Sequence, residues 1–179
     1  CGAAGVGVGA HPGLPDVMGF GRRNMACSPK EIKAYVQYQV GALLAFTAAQ
    51  GVELQHVKPH GALYNMAAKD FDLALAIAEG IASVDKDVIL LGLAGSKMLE
   101  AGRQVGLKVA SEVFADRAYQ ADGSLVPRSK PGAVIHDKDE AIARTIRMVT
   151  EGKVTAITGE EVSIDAHSIC VHGDNPSAV

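Results

Sequence analysis

Apolar and polar positions along this chain alternate between a helical and a strand period. Ser28-Pro29-Lys30-Glu31 opens a helix: Ser28 suits the N-cap, Pro29 the first helical position, and Glu31 completes a capping box. Ile32, Val36, Val40, Leu43 and Thr47 then recur on one helical face, and Gly51 is a natural stop. Leu54 to Lys58 follows as a strand running into Pro59-His60-Gly61. A second helix is predicted from Asp70 to Ser83, with Leu73, Ile77, Ile81 and Val84 as its stripe. Val88 to Leu93 is apolar throughout, as in parallel strands covered on both faces. Ala94-Gly95-Ser96 turns into a third helix ending near Gly106, and Leu107 to Phe114 is a further strand. Asp137 starts a fourth helix, ended by Gly152, whose Ile142, Ile146 and Val149 are expected to face inward. Residues 153–166 read as a short irregular or hairpin segment. Gly5 to Gly13 at the start and Ser168 to Asp174 at the end each read as a short strand and turn.

Strand and helix alternate throughout, which is the α/β pattern with a parallel sheet. The strands end in polar or Gly-rich sequence: His11, Lys58/His60, Gly95/Ser96, Glu112/Asp116/Arg117 and His172/Asp174. A (β/α) barrel and an open doubly wound sheet both bind ligands at the carboxyl ends of their strands, so the pattern does not choose between them.

Composition narrows the function classes. The 179 residues suit one domain with a sizeable core. A net charge of −3 gives no electrostatic pull toward nucleic acid or an anionic membrane, and 4% aromatics argues against a base-stacking platform. Cys1, Cys27 and Cys170 are too few and too widely spaced for a disulfide framework or a cysteine zinc site, so a reducing, cytoplasmic setting is expected. Neither a membrane span nor a signal peptide is read, and the start without Met suggests that part of a longer chain is missing. Gly5-Val-Gly-Val-Gly9 lies within a strand, no Walker A sequence occurs, and so no nucleotide motif is encoded.

The densest chemistry is His56-Val-Lys58-Pro-His60, three titratable groups where a buried strand meets a turn. Lys58 needs a partner if buried, and Glu112 or Asp116 can supply it. Asp116-Arg117 can equally be a self-contained loop ion pair. Glu112 lies four residues before Asp116, so on an extended strand the two share a side and permit paired-carboxylate acid–base work. His11, His60 and His172 can ligate a divalent metal with Asp174 or Asp116 as a fourth ligand, or each can bond a turn backbone. H-E-x-x-H and H-x-H are absent. Ser96 reads as an N-cap and Cys170 as packing.

Five stretches together resemble one family: Gly9-Ala-His-Pro-Gly-Leu-Pro-Asp16, Gly19-Phe-Gly-Arg-Arg-Asn24, His56-Val-Lys-Pro-His-Gly-Ala-Leu-Tyr-Asn65, Ser111-Glu-Val-Phe-Ala-Asp-Arg117 and Val171-His-Gly-Asp174. They are similar to the LamB/YcsF family, and the likeness runs the length of the chain. It implies a (β/α) barrel of the glycoside hydrolase/deacetylase type, a single domain over residues 1–179. It also implies ATP-dependent opening of 5-oxo-L-proline (pyroglutamate) to L-glutamate, with Mg²⁺-ATP and partner subunits B and C, and leaves a bound divalent metal open. Family members begin with Asp-Leu-Asn-Cys-Asp-like and Cys-Gly-Phe-His-Ala-Gly-Asp-like strands. Neither is present here, and the last helix is cut short, so the barrel is expected to be incomplete. On this reading Lys58, His60, Glu112 and Asp116 are the catalytic set, and His11, Tyr64, Arg117, His172 and Asp174 contact substrate. Lys58, His60 and Arg117 would stabilise anionic charge, and Glu112, Asp116 and His11 would move protons. Two other readings are a metal-dependent amide or carbohydrate deacetylase-like hydrolase, and a non-catalytic regulatory subunit of lactam utilisation.

Overall fold

The structure, a computed structural model, describes residues 2–172. It divides into two compact units, Cys1–Gly92 with Ser96–Ala110, and Leu93–Gly95 with Ser111–Val179.

In the first unit, β1 (Val8–Ala10), β2 (Leu54–Val57) and β3 (Ile89–Leu93) lie parallel in that order. The register sets Gly9 beside His56 and Val57 beside Leu90. Helix α1 (Pro29–Ala49) joins β1 to β2, and α2 (Gly61–Ala67) and α3 (Phe71–Val84) join β2 to β3. The capping box forms as expected: Glu31 N–H donates to Ser28 Oγ at 3.3 Å, and Ser28 N–H donates to the Glu31 carboxylate at 2.8 Å. Asp70 caps α3 by accepting from Leu73 N–H at 3.1 Å.

Of the predicted stripes, Ile32, Val36, Val40 and Thr47 on α1 and Leu73, Ile77 and Ile81 on α3 are buried, while Leu43 and Val84 are half-buried. Burying each large aliphatic side chain contributes about 1.5–3 kcal/mol. The two helices approach closely at Gly80, where an added Cβ would meet Val36 at 3.2 Å. Lys33–Glu79 at 2.9 Å and Gln37–Ser83 at 2.7 Å seal the edge of the contact. Helix α4 (Lys97–Gln104) packs against α3.

Helix α2 is a departure from expectation, since Pro59-His60-Gly61 reads as a turn. Gly61 takes φ +55, which turns the chain sharply, and Ala62, Leu63, Tyr64 and Ala67 then bury a helical face.

In the second unit, the latter half of β4 (Lys108–Phe114) pairs with a parallel strand from the end of the chain. Between them come α5 (Lys138–Thr150) and the antiparallel hairpin of β5 (Lys153–Thr155) and β6 (Glu161–Ser163). The closing strand is β7 (Ser168–Cys170), with Glu112 beside Ser168 and Phe114 beside Cys170. Tyr119 is fully buried, and its hydroxyl oxygen accepts from Phe114 N–H at 2.9 Å, fixing the turn that ends β4.

The inward face expected for α5 is corrected. Ile142, Ile146 and Val149 are each 56% exposed, and Met148 is the buried residue. The helix is rotated because Arg144 donates to the carbonyls of Ala115 at 3.4 Å and Arg117 at 3.1 Å. Those carbonyls leave a strand end and need donors. Among the described residues, no helix is long and apolar enough to cross a membrane.

Candidate functional site

His11 follows β1 directly and Lys58 follows β2, so strand register brings their backbones together. Lys58 N–H donates to Ala10 O at 2.9 Å, and His60 N–H donates to Pro12 O at 2.8 Å. The side chains then form a chain of contacts. His11 Nδ1 lies 2.7 Å from Lys58 O, His11 Nε2 lies 2.9 Å from His60 Nδ1, and His60 Nε2 lies 2.7 Å from Phe20 O. A carbonyl only accepts, so His11 Nδ1 and His60 Nε2 are the donors. The two rings meet edge to face at 4.7 Å. Burial is the largest influence on His11 and lowers its pKa. The positive charges of His60, Lys58 and His56 add to it, against an opposing pull from the Lys58 carbonyl. Half-buried Lys58 holds Nζ 5.8 Å from the Tyr64 ring centre, a cation–π contact on a buried tyrosine of α2.

The loop after β1 is built onto this cluster. The Asp16 carboxylate accepts from Gly19 N–H at 2.9 Å, from Arg23 N–H at 3.2 Å and from Arg23 Nε at 2.9 Å. The Arg23 guanidinium holds that carboxyl down to about 2. Phe20 sits at φ +54, a strained value for a residue with a side chain. Gly21 O accepts from Ala62 N–H at 2.8 Å, and an added Cβ at Gly61 would stand 2.5 Å from that oxygen. The loop tip is apolar and solvated, with Val17 92%, Met18 91% and Phe20 70% exposed.

The second unit carries a different arrangement. His172 Nδ1 lies 2.9 and 3.0 Å from the two Asp116 oxygens. The ring stacks on Phe114 with centres 5.7 Å apart. Asp116 is 4% exposed. Its burial pushes the carboxyl upward, but the His172 hydrogen bond and charge, helped by Arg128, outweigh burial and hold it below its ordinary value. An ionised carboxylate only accepts, so the ring donates to Asp116 through Nδ1. A neutral imidazole held this way has its lone pair on Nε2, which is the arrangement of a general base.

Glu112 and Asp116 are both buried, but they do not share a strand face as expected. β4 ends at Phe114, and Asp116 lies in the turn beyond it, so strand alternation does not reach it. The Asp116 carboxylate bonds His172, while Arg117 donates to Val126 O at 2.6 Å and Ala133 O at 3.3 Å, which ties its own loop together. Asp174 lies outside the described residues. Within the first unit His11, Lys58, His60 and Tyr64 come together, and within the second Asp116 and His172 do.

Phe20 and Tyr119 are not among the sequence candidates. Phe20 carries no sequence signal, because a positive φ at Phe is set by the surrounding contacts. The Asp16–Arg23 clamp could have been read from Asp16 and Gly19, a pairing typical of Asx turns.

The class defined so far is an α/β protein with parallel strands, in which each unit carries polar side chains at its strand ends, His11, Lys58 and His60 in the first and Asp116 and His172 in the second. The LamB/YcsF family model matches residues 1–179, and the chain belongs to that family. It is 67% identical over 174 residues to the A subunit of 5-oxoprolinase from Alkaliphilus metalliredigens, covering 97% of this chain and 68% of that protein. It is 63% identical over 177 residues to the corresponding 5-oxoprolinase chain of Clostridium beijerinckii, covering 99% and 69%. The solved structure of the lactam utilization protein from Thermus thermophilus is 50% identical, with a TM-score of 0.90 over 99% of this chain and 72% of that one.

Proposed function

We propose that this chain belongs to an ATP-dependent 5-oxoprolinase that opens 5-oxo-L-proline to L-glutamate. It would work with partner subunits B and C, as expected of a chain whose relatives are named as one lettered part of a larger enzyme. The observation that carries the reading is the Asp116–His172 pair, a base held ready in a chain this similar to lactam-acting proteins.

A five-membered lactam is a stable amide and needs activation before water attacks. ATP with Mg²⁺ supplies that activation, by passing its γ-phosphoryl group to the lactam oxygen. Water then adds at the ring carbonyl carbon, and His172 Nε2 takes its proton. The ring C–N bond breaks, nitrogen takes up a proton and leaves as the amine, and an acyl phosphate remains. A second water releases phosphate and completes L-glutamate. Asp116 orients His172 and balances the charge it gains. Lys58, beside His11 and His60, supplies positive charge toward the carboxylate or phosphoryl oxygens, and Tyr64 supports Lys58.

The test combines the full-length protein with its partner subunits, 5-oxoproline and Mg²⁺-ATP, and measures glutamate. Release well above the partners alone, lost in His172→Asn, supports the reading. Release equal to the partner-only control would sink it.

A further inference from the structure

His11 and His60 face each other through the wrong atoms for two neutral rings. His11 Nδ1 points at one carbonyl oxygen and His60 Nε2 at another, at 2.7 Å each. Both of those nitrogens must carry hydrogen, because a carbonyl cannot donate. In neutral imidazoles the remaining nitrogens, His11 Nε2 and His60 Nδ1, are then bare lone pairs. They lie 2.9 Å apart, which is a hydrogen-bond distance. Two lone pairs at that distance repel, while one proton between them turns repulsion into a charge-assisted bond.

We infer that His11 and His60 act as one unit holding a single shared proton, and that this proton fastens the loop from Leu14 to Ala26 onto the ends of β1 and β2. The unit contains three ring hydrogens and one positive charge. All four ring nitrogens are engaged, so neither imidazole presents a nitrogen to a substrate, and both are positioning residues. The outer bonds reach Lys58 O after β2 and Phe20 O in the loop, so the pair bridges both strand ends to the strained segment at Phe20 and Gly21. The charged groups acting on His11 are His60, Lys58 and His56, all cations when protonated. Phe20 and Tyr64 are the neutral rings of the loop and α2 in this cluster. Those cations oppose a second proton on the pair. Raising the pH removes the shared proton, restores the repulsion and releases the loop.

The test uses the full-length protein with ¹⁵N-labelled histidine. Long-range ¹H–¹⁵N spectra at pH 7 should show hydrogen on His11 Nδ1 and His60 Nε2. The facing nitrogens should have intermediate shifts and be coupled through the bond. Hydrogen exchange supplies a second readout. The amides of Gly19 to Arg23 should exchange about tenfold faster in His60→Ala, and within about twofold of wild type in His60→Gln, whose amide can still donate to Phe20 O. Alkaline pH should accelerate the same amides in wild type beyond the intrinsic effect, and not in His60→Gln. Two independently titrating rings, unchanged loop exchange in His60→Ala, or stoichiometric Zn²⁺ uptake by wild type that His60→Gln abolishes would each overturn the inference. If His60→Ala does not fold, the spectra and His60→Gln still decide it. None of these readouts uses turnover, so the result is separate from the fate of the lactam reading.

Discussion

The two units use the same residue types in opposite ways. In the first, both nitrogens of His11 and of His60 are engaged by carbonyls or by each other, and the apolar stripes of α1 and α3 are buried. In the second, one nitrogen of His172 is held by a carboxylate, and the apolar stripe of α5 faces solvent. Histidine at a strand end is therefore not a role in itself. What the second nitrogen meets decides whether the ring fastens structure or accepts a proton. Likewise, helical spacing says which residues share a face and not what covers that face.

The strongest challenge to this contrast is His172→Asn. Turnover of the reconstituted enzyme should fall by about 10²–10⁴-fold, the usual worth of a general base, with thermal stability nearly unchanged. A smaller loss than that of His60→Gln would reverse the roles given to the two units. The next effect is structural. Ile77→Ala, in the core of α3, should cost about 2–5 kcal/mol in denaturant unfolding, because it leaves a cavity. The matching change Ile146→Ala on α5 should cost less than about 0.5 kcal/mol, since its side chain is already solvated. Equal costs would mean that the exposed face of α5 is covered in solution.

Acid titration gives a subtler separation. The Asp116 carboxyl is depressed in the folded protein, so it contributes stability above its ordinary value of 3.8, lost as pH falls through the lower folded value. Asp16, held to about 2 by Arg23, follows the same sign over the window from 3.8 down to about 2. Asp116→Asn should flatten the acid limb of the second unit and Asp16→Asn that of the loop, each followed by residue-resolved hydrogen exchange. The smallest expected effect is at the loop surface. Met18→Ser, 91% exposed, should change unfolding free energy by under about 0.5 kcal/mol.

Much of the fold was legible because local rules and burial agreed. The capping box at Ser28 and most of the stripes of α1 and α3 formed where spacing put them, and the segment read as irregular or hairpin is the β5–β6 hairpin. Helix α2 was not legible, since a proline and a positive-φ glycine masked the apolar face beyond them. The facing of α5 was not legible either, because Arg144 hydrogen bonds to two distant carbonyls outweigh three apolar side chains. Of the candidate residues, His11, Lys58 and His60 lie together at the strand ends of the first unit. The Asp116–His172 pair needed a turn whose path depends on Tyr119 and on no motif.

Tyr119 has a consequence beyond that turn. The chain has four tyrosines and no tryptophan, so its near-ultraviolet signal is a tyrosine signal. Burial pushes the Tyr119 phenol well above its ordinary value, and its oxygen is tied to the backbone of Phe114. Its phenolate absorbance should therefore emerge only when the second unit opens. The protein carries a native optical gauge for the integrity of the turn that presents Asp116, and no added label is needed to read it.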